Sequence, residues 1–565
     1  MNKLFLAISA ILLAPACACA QAVQAPTPAA KGVVSAADPR AAAAGQEILR
    51  AGGTAADAEM AMMLALTVVE PQSSGIGGGG FFVYQDARTG KLTTIDGREK
   101  APAAATPKRF LGADGKPLSF FQAVPGGLSV GVPGNIRLMA MVHAKFGKLP
   151  WKALFQPAIR LAEQGYQVTP PMAAAMGFVS QTWSSFPSTA ALYAPSGKPA
   201  AVGDTIRNPA LAATLRTIAA QGPDAFYTGE IAAGVVRTVT TASKNPADLT
   251  LADLAAYQAK ERAPVCGQYR GYRLCGMGPP SSGATTVFQI LGMLERFDLR
   301  AMGKDSPVAW HLISEAMLLA YADREKWLGD SDFVKVPVSG LLNRNYVRAR
   351  SALLSPDKSL GNYEAGTPPG AEPRTAAISS EVSGTTHFVS VDKSGSIATM
   401  TSTVEGPFGS QLISGGFVLN NELTDFTFAP EKNGAPVANR VEGAKRPLSS
   451  MSPTIVYNAK GTPVFTVGAA GGKTIIMQVA KAIIAHFDWG MPAREALGQG
   501  LVYFNSGGII LEQGTSLEPM KPALEALGHK VSIARLGLKA NAAERTSAGW
   551  VGAADPRSVG VALSE

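Results

Sequence analysis

Residues 385–404 read TTHFVSVDKSGSIATMTSTV. Both halves are rich in β-branched residues. Asp392-Lys393-Ser394-Gly395 between them has the composition of a tight turn, so a β-hairpin is predicted. Pairing outward from that turn sets Thr385 opposite residue 402 or 403. Thr385 and Thr403 then become neighbours, with two hydroxyls side by side. That geometry alone does not demand chemistry, because threonine is common in strands and cross-strand threonine pairs stabilise hairpins.

Upstream of the hairpin, residues 357–384 (DKSLGNYEAGTPPGAEPRTAAISSEVSG) carry Pro, Gly, Ser and Glu with almost no apolar periodicity. That is the composition of a mobile linker, and it ends at Gly384, where the pattern turns abruptly into strand. Further back, helical periodicity predicts helices over 41–50, 54–69, 136–146, 151–164, 208–221, 283–296 and 309–328, with Thr54 and Asp57 as a capping box. A helix is also predicted over 474–484. Strand-like runs at 80–85 and 91–96 are the early ones; strands become dense only after residue 385. The chain is therefore mixed, helix-rich first and strand-rich last. Its 565 residues would suggest three or four domains, although large single domains defeat that count.

The chain is 46% hydrophobic and 16% charged, which supplies a substantial core and excludes a disordered protein. The net charge of +9 is spread over isolated residues such as Lys100, Lys108, Lys445 and Arg446. Scattered charge serves solubility, and no nucleic-acid partner is expected. Lys3, the apolar run 4–13 and Ala18-Cys19-Ala20 form a secretory signal over residues 1–20, followed by an Ala/Pro-rich leader over 21–32. The residues before Cys17 and Cys19 make a poor lipobox. No later stretch is long and apolar enough for a membrane span, so a soluble periplasmic or secreted protein is expected. After the signal only Cys266 and Cys275 remain, flanking a short turn. They read as a disulfide staple of a small hairpin or as two free buried thiols.

Six blocks in order carry a resemblance. They are Glu70-Pro-Gln-Ser-Ser-Gly-Ile-Gly-Gly-Gly-Gly80-Phe, Asp96-Gly-Arg98-Glu-Lys-Ala-Pro102 and Pro279-Pro-Ser-Ser-Gly283. Then come Gly384-Thr385-Thr386-His387-Phe388 with Gly409, the run Leu419-Asn-Asn-Glu422-Leu-Thr-Asp425-Phe426, and Arg446-Pro-Leu-Ser449-Ser450-Met-Ser-Pro-Thr454. Together they resemble the γ-glutamyltransferase family, over about residues 33 to 560. The resemblance implies an α+β fold of the N-terminal nucleophile hydrolase type, a four-layer αββα sandwich. It also implies a proenzyme that cuts itself between Gly384 and Thr385. The large subunit (21–384) and the small catalytic subunit (385–565) would then form a heterodimer within one domain.

The implied roles follow residue by residue. Thr385 would be nucleophile and, through its freed α-amine, base. Thr403 would hydrogen-bond its Oγ, and Gly471 and Gly472 would form the oxyanion hole. Arg98, Ser449 and Ser450 would hold the donor's α-carboxylate, and Glu422 and Asp425 its ammonium. The expected reaction moves γ-glutamyl from glutathione and related amides to water or to amino-acid and dipeptide acceptors, with no cofactor and no metal. Two departures stand out. The family usually places asparagine where this chain has Glu405, which puts the exact donor in question. The segment 427–445, where some members carry a lid, is short, so a more open cleft is expected.

Other motifs lead elsewhere. Gly75-x-Gly77-x-x-Gly80 runs into a strand rather than a helix, against a dinucleotide fingerprint. Ser129 in Gly127-Leu-Ser-Val-Gly131 is followed by Pro133, against a nucleophile elbow. The five histidines are dispersed, and His387 is read as structural. The competing functions are a glutaryl- or cephalosporin-type acylase and a periplasmic amino-acid-binding protein that is not an enzyme.

Overall fold

The hairpin forms with strands Thr385–Val391 and Ile397–Thr403 antiparallel and Thr385 directly opposite Thr403. Asp392 ties its turn, its Oδ1 accepting from the backbone N–H of Ser394 (2.9 Å) and Ser396 (3.2 Å). The structure, a computed structural model, describes residues 27–377 and 384–565. The predicted signal over 1–20 lies outside the described residues.

This hairpin is the centre of a seven-stranded sheet. Its order is Val561–Ser564, Val33–Ala36, Thr385–Val391, Ile397–Thr403, Gly79–Gln85, Leu92–Gly97 and Lys260–Arg262. A second sheet has six strands, Gly549–Ala554, Lys539–Thr546, Pro463–Ala470, Thr454–Tyr457, Tyr272–Gly276 and Val265–Tyr269. The sheets stack on an apolar seam in which Val33, Val389, Val391 and Ile397 of one meet Ile455, Tyr457 and Trp550 of the other. Helices cover both outer faces. Pro39–Arg50 and Ala55–Val69 bury themselves with the strand residues Phe82, Phe388 and Met400 on one side. On the other side Gly283–Leu294, Pro307–Trp327 and Thr474–Phe487 close over Val456, Phe465 and Val467. The four layers αββα are those expected, and they dictate why strands here are buried along their whole length.

Every helix predicted from periodicity has a counterpart, and Thr54 with Asp57 makes the capping box. The helix expected over 151–164 is broken into Trp151–Leu154 and Gln156–Gln164, because Pro157 has no N–H to continue it and fits only a first turn. Cys266 and Cys275 lie opposite one another in the hairpin register, with their sulfurs 2.06 Å apart.

The segment expected to be a mobile linker is irregular through residue 377 and makes hydrogen bonds to the body of the protein. Leu360 N–H donates to Glu315 (2.9 Å), Gly366 N–H to Asp323 (2.8 Å), and Ala377 N–H to the Glu325 carbonyl (3.2 Å). Residues 378–383 lie outside the described part. The histidines, dispersed in sequence, are brought together in one case. His311 Nδ1 lies 2.6 Å from His529 Nε2, and His311 Nε2 donates to the Ser355 carbonyl at 2.8 Å. Glu315 approaches His529 at 3.7 Å. No helix among the described residues is long and apolar enough to cross a membrane.

Candidate active site

One end of the sandwich gathers the start of strand Thr385–Val391, the ends of Ile397–Thr403, Leu92–Gly97 and Pro463–Ala470, and the approach to Thr454–Tyr457. There Thr385 Oγ lies 3.3 Å from Thr403 Oγ. Thr403 Oγ donates to the carbonyl oxygen of Gly384 at 3.0 Å and accepts from the Glu405 N–H at 2.7 Å. A hydroxyl has one proton, and Thr403 gives its proton to Gly384. Thr385 is therefore the donor in the contact between the two threonines. A Cβ on Gly384 would collide with the Glu405 carbonyl, so only glycine lets the 384–385 bond lie this close.

Arg98 follows directly on the strand Leu92–Gly97. Its N–H donates to Asp96 (2.8 Å) and its carbonyl accepts from Tyr257 Oη (2.7 Å), so the backbone is clamped from both sides. The guanidinium is 1% exposed and hydrogen-bonded through each of its three nitrogens. It bonds Glu422, Asp425 Oδ2 (2.6 Å), and the carbonyls of Leu448 (2.8 Å) and Pro447 (3.2 Å). Burial works against its charge, but Glu422, Asp425 and Glu99 outweigh that and hold it protonated. The ammonium ligands expected from the sequence are thus, in this state, the partners of the carboxylate ligand.

Burial holds the Glu422 carboxyl well above the usual range, with Glu99 and Glu405 adding to the shift and Arg98 opposing it. Glu99, fully buried with Arg98 Nη1 3.9 Å away, is pushed up by burial to about 7. Glu405 sits at φ +78, a left-handed conformation rare for glutamate. Its carboxylate accepts from Asn421 Nδ2.

Ser449 and Ser450 are buttressed from the Pro279–Gly283 block. Ser282 N–H and Oγ both donate to the Ser449 carbonyl at 2.7 Å, and Arg324 donates to Ser450 Oγ at 2.9 Å. Gly471 and Gly472 turn the chain at φ +132 and +57 between the strand and the helix that begins at Thr474. Arg98, Thr385, Thr403, Glu405, Glu422, Asp425, Ser449, Ser450 and Gly472 all line one cleft, together with Met451 and Ile475. Gly471 stands one residue behind it. With the chain continuous through Gly384 and Thr385, this cleft has only about 10 Å³ of room.

A family model described as gamma-glutamyltranspeptidase matches residues 41–564. The chain belongs to this family. The glutathione hydrolase proenzyme of Bacillus subtilis (strain 168) is 37% identical over 510 residues, 88% of this chain and 85% of that protein. That of Escherichia coli (strain K12) is 36% identical over 549 residues, covering 94% and 92%. Among solved structures, cephalosporin acylase from Bacillus halodurans superposes with a TM-score of 0.84 at 27% identity, covering 96% of this chain and 97% of that one. This gamma-glutamyltranspeptidase-family chain is an enzyme of the N-terminal nucleophile hydrolase fold.

Within that family frame, the remaining motifs find structural uses. The glycines before strand Gly79–Gln85 admit their neighbours, since a Cβ on Gly78 would collide with the Thr403 carbonyl. Ser129 Oγ donates to the Val124 carbonyl at 2.6 Å, away from the cleft. His387 is buried between the sheets, bonded to Thr401 (2.9 Å) and Thr399 (3.1 Å), and burial brings its pKa down to about 3. The 427–445 segment forms a minimal hairpin of Glu431–Lys432 with Ala435–Pro436, and none of its residues lines the cleft. Sequence reasoning assigned no role to Glu99, Asn421 or Arg324. Glu99 was within reach, since it adjoins Arg98 in the same block.

Proposed function

We propose that the chain cleaves itself between Gly384 and Thr385 and then acts as a γ-glutamyltransferase and glutathione hydrolase through an ester on Thr385. The observation that carries this is the hydrogen-bond chain from Thr385 Oγ through Thr403 to the Gly384 carbonyl. One hydroxyl, that of Thr403, both accepts from the nucleophile of the proposed cut and donates to the carbonyl it would attack.

In the first reaction Thr385 Oγ attacks the Gly384 carbonyl carbon, and Thr403 stabilises the charge developing on its oxygen. The C–N bond breaks, the amine takes the proton, and water then hydrolyses the ester. Two chains result, a large subunit ending at Gly384 and a small one beginning at Thr385, held as a heterodimer. The freed α-amine, with a pKa of about 8, now serves as base for its own hydroxyl. In turnover Thr385 Oγ attacks the γ-carbonyl of the donor, and the N–H groups of Gly471 and Gly472 receive the oxyanion. The leaving amine departs with a proton. Water, an amino acid or a dipeptide resolves the ester.

Arg98 with Ser449 and Ser450 would take the α-carboxylate, and Glu422, Asp425 and Glu405 the α-ammonium. The excess of carboxylates over the one guanidinium supports a donor that brings a cation. A glutaryl group, which brings only another carboxylate, fits less well. The fold likeness to cephalosporin acylase keeps that second reading specific enough to test. Export to the periplasm or the medium goes with the signal-like residues 1–20.

Intact mass spectrometry of the wild type and Thr385→Ala tests the first claim. Two fragments meeting at 384/385 are expected for the former and one uncut chain for the latter; an uncut wild type that hydrolyses glutathione would end the mechanism. Turnover of γ-glutamyl against glutaryl anilides tests the second, with the γ-glutamyl compound favoured.

A further inference from the structure

A groove of about 590 Å³ lies beside the closed cleft. Its walls are apolar and aromatic: Phe120, Phe121 and Val124 from one short helix and its end, and Phe178 from the helix Pro170–Val179. Phe121 and Phe178 are 73% and 59% exposed, and their rings stand 6.5 Å apart across it. Single exposed aromatics are ordinary, but a facing pair lining a concavity is the form of a ligand site.

The floor of the groove connects it to the nucleophile. Gly406 and Asn421 line it, and both are tied to Glu405, which lines the cleft. Gly406 N–H donates to Asn421 Oδ1 at 2.8 Å, and Asn421 Nδ2 donates to the Glu405 carboxylate. Gly384 itself rests on this floor, where an added Cβ would stand 2.9 Å from Gly406 Cα. Gly384 thus joins Thr385, its neighbour in the chain, to Gly406 of the groove floor. The loop that carries the floor is also strained. Glu405, Phe408 and Gln411 all have positive φ, and Gln411 is fixed by Trp183 Nε1 at 2.8 Å. Non-glycine residues are held there only where the surroundings over-determine them, as at binding sites.

We infer that, once Gly384 has left, this groove binds an apolar or aromatic side chain on the leaving amine of the donor. The same groove would take the matching acceptor, which attacks the ester along the path by which the amine departs. The enzyme would then favour γ-glutamyl compounds of hydrophobic amino acids over those of glycine. The inference rests on the γ-glutamyl reading given above.

The test compares kcat/KM for γ-glutamyl-phenylalanine and γ-glutamyl-glycine, whose leaving amines are chemically alike, in the processed wild type and in a Phe121→Ser, Phe178→Ser double variant. A preference of about tenfold for the phenylalanine compound, carried by KM, is expected in the wild type. A hydrophobic subsite discriminates on this scale. The ratio should fall to about one in the variant. Turnover of both compounds with no preference, or a preference the variant keeps, overturns the groove and leaves the γ-glutamyl reading standing. If neither compound turns over, that reading has failed instead. Fluorescence titration with N-phenyl-1-naphthylamine reads the groove independently of turnover. Saturable binding to wild type that the variant loses supports the site, and equal binding to both refutes it.

Discussion

Thr403 commits its only proton to the Gly384 carbonyl, so its worth to the proposed self-cleavage is that of a single donor on a developing oxyanion. Losing such a donor typically costs a factor of about 10² to 10³. Thr403→Ala should slow the appearance of the two fragments by that order on a gel, while Thr403→Ser, which keeps the hydroxyl, should restore most of the rate. Glu405 presents a different residue-scale problem, because glutamate tolerates its φ of +78 poorly and asparagine tolerates it well. Glu405→Asn should raise stability by about 0.5–1 kcal/mol in denaturant unfolding, through relief of backbone strain. Glu99 sets a pH dependence. Burial raises its carboxyl from 4.5 to about 7, so the folded state holds this proton more tightly than the unfolded state does. Its contribution is complete below the unfolded value, declines as pH rises from about 4.5 to about 7, and is gone above that. Ionised, it adds negative charge beside Arg98, in competition with the donor's carboxylate. Donor KM should therefore climb as pH passes about 7, and Glu99→Gln should flatten that climb; an unchanged profile in the variant would remove Glu99 from donor binding.

At the scale of elements, what the sequence made legible depended on whether the signal was local. The hairpin register was readable because a polar turn and two β-branched strands specify it without help from the rest of the fold. The Arg98, Ser449–Ser450 and Gly471–Gly472 positions came from resemblance, since nothing within each short block says that three separate strand ends meet. Among the helices that escaped notice, two did so for clear physical reasons. Gly229–Thr240 is rich in β-branched residues that resemble a strand, and Pro170–Val179 is apolar nearly all round, without a polar face to mark its period. The contacts of the linker were not legible, because they are backbone bonds to Glu315, Asp323 and Glu325, which composition does not register. The glycine run before Gly79–Gln85 resembled a nucleotide loop, yet its use is close approach. Gly78→Ala would drive a methyl group into the Thr403 carbonyl, at the end of the strand that carries the site. Overpacking of this kind costs about 1–3 kcal/mol. The variant should lose that much stability in urea and also cleave more slowly, because Thr403 must shift; normal cleavage with lowered stability would separate the strand's packing from its chemistry.

For the whole molecule, the position of the proposed cut matters more than the cut itself. In the seven-stranded sheet Val33–Ala36 is sandwiched between Val561–Ser564 and Thr385–Val391, so a strand from before residue 384 lies between two from after it. The second sheet is divided as well, with Tyr272–Gly276 paired to Thr454–Tyr457. His311 and Glu315 of the first part meet His529 of the second in a buried cluster. Neither fragment keeps a closed sheet or a covered core alone, so separation requires unfolding. All four cysteines of the sequence precede the cut, Cys266 and Cys275 being bonded to each other, so no disulfide can tie the fragments together. A denaturing gel should therefore show two fragments with or without reductant, whereas native size exclusion should show one species. In urea, loss of far-UV circular dichroism and dissociation of the fragments should coincide at one midpoint. Dissociation at a lower concentration, leaving a folded fragment, would mean that the shared sheets do not hold the pair together.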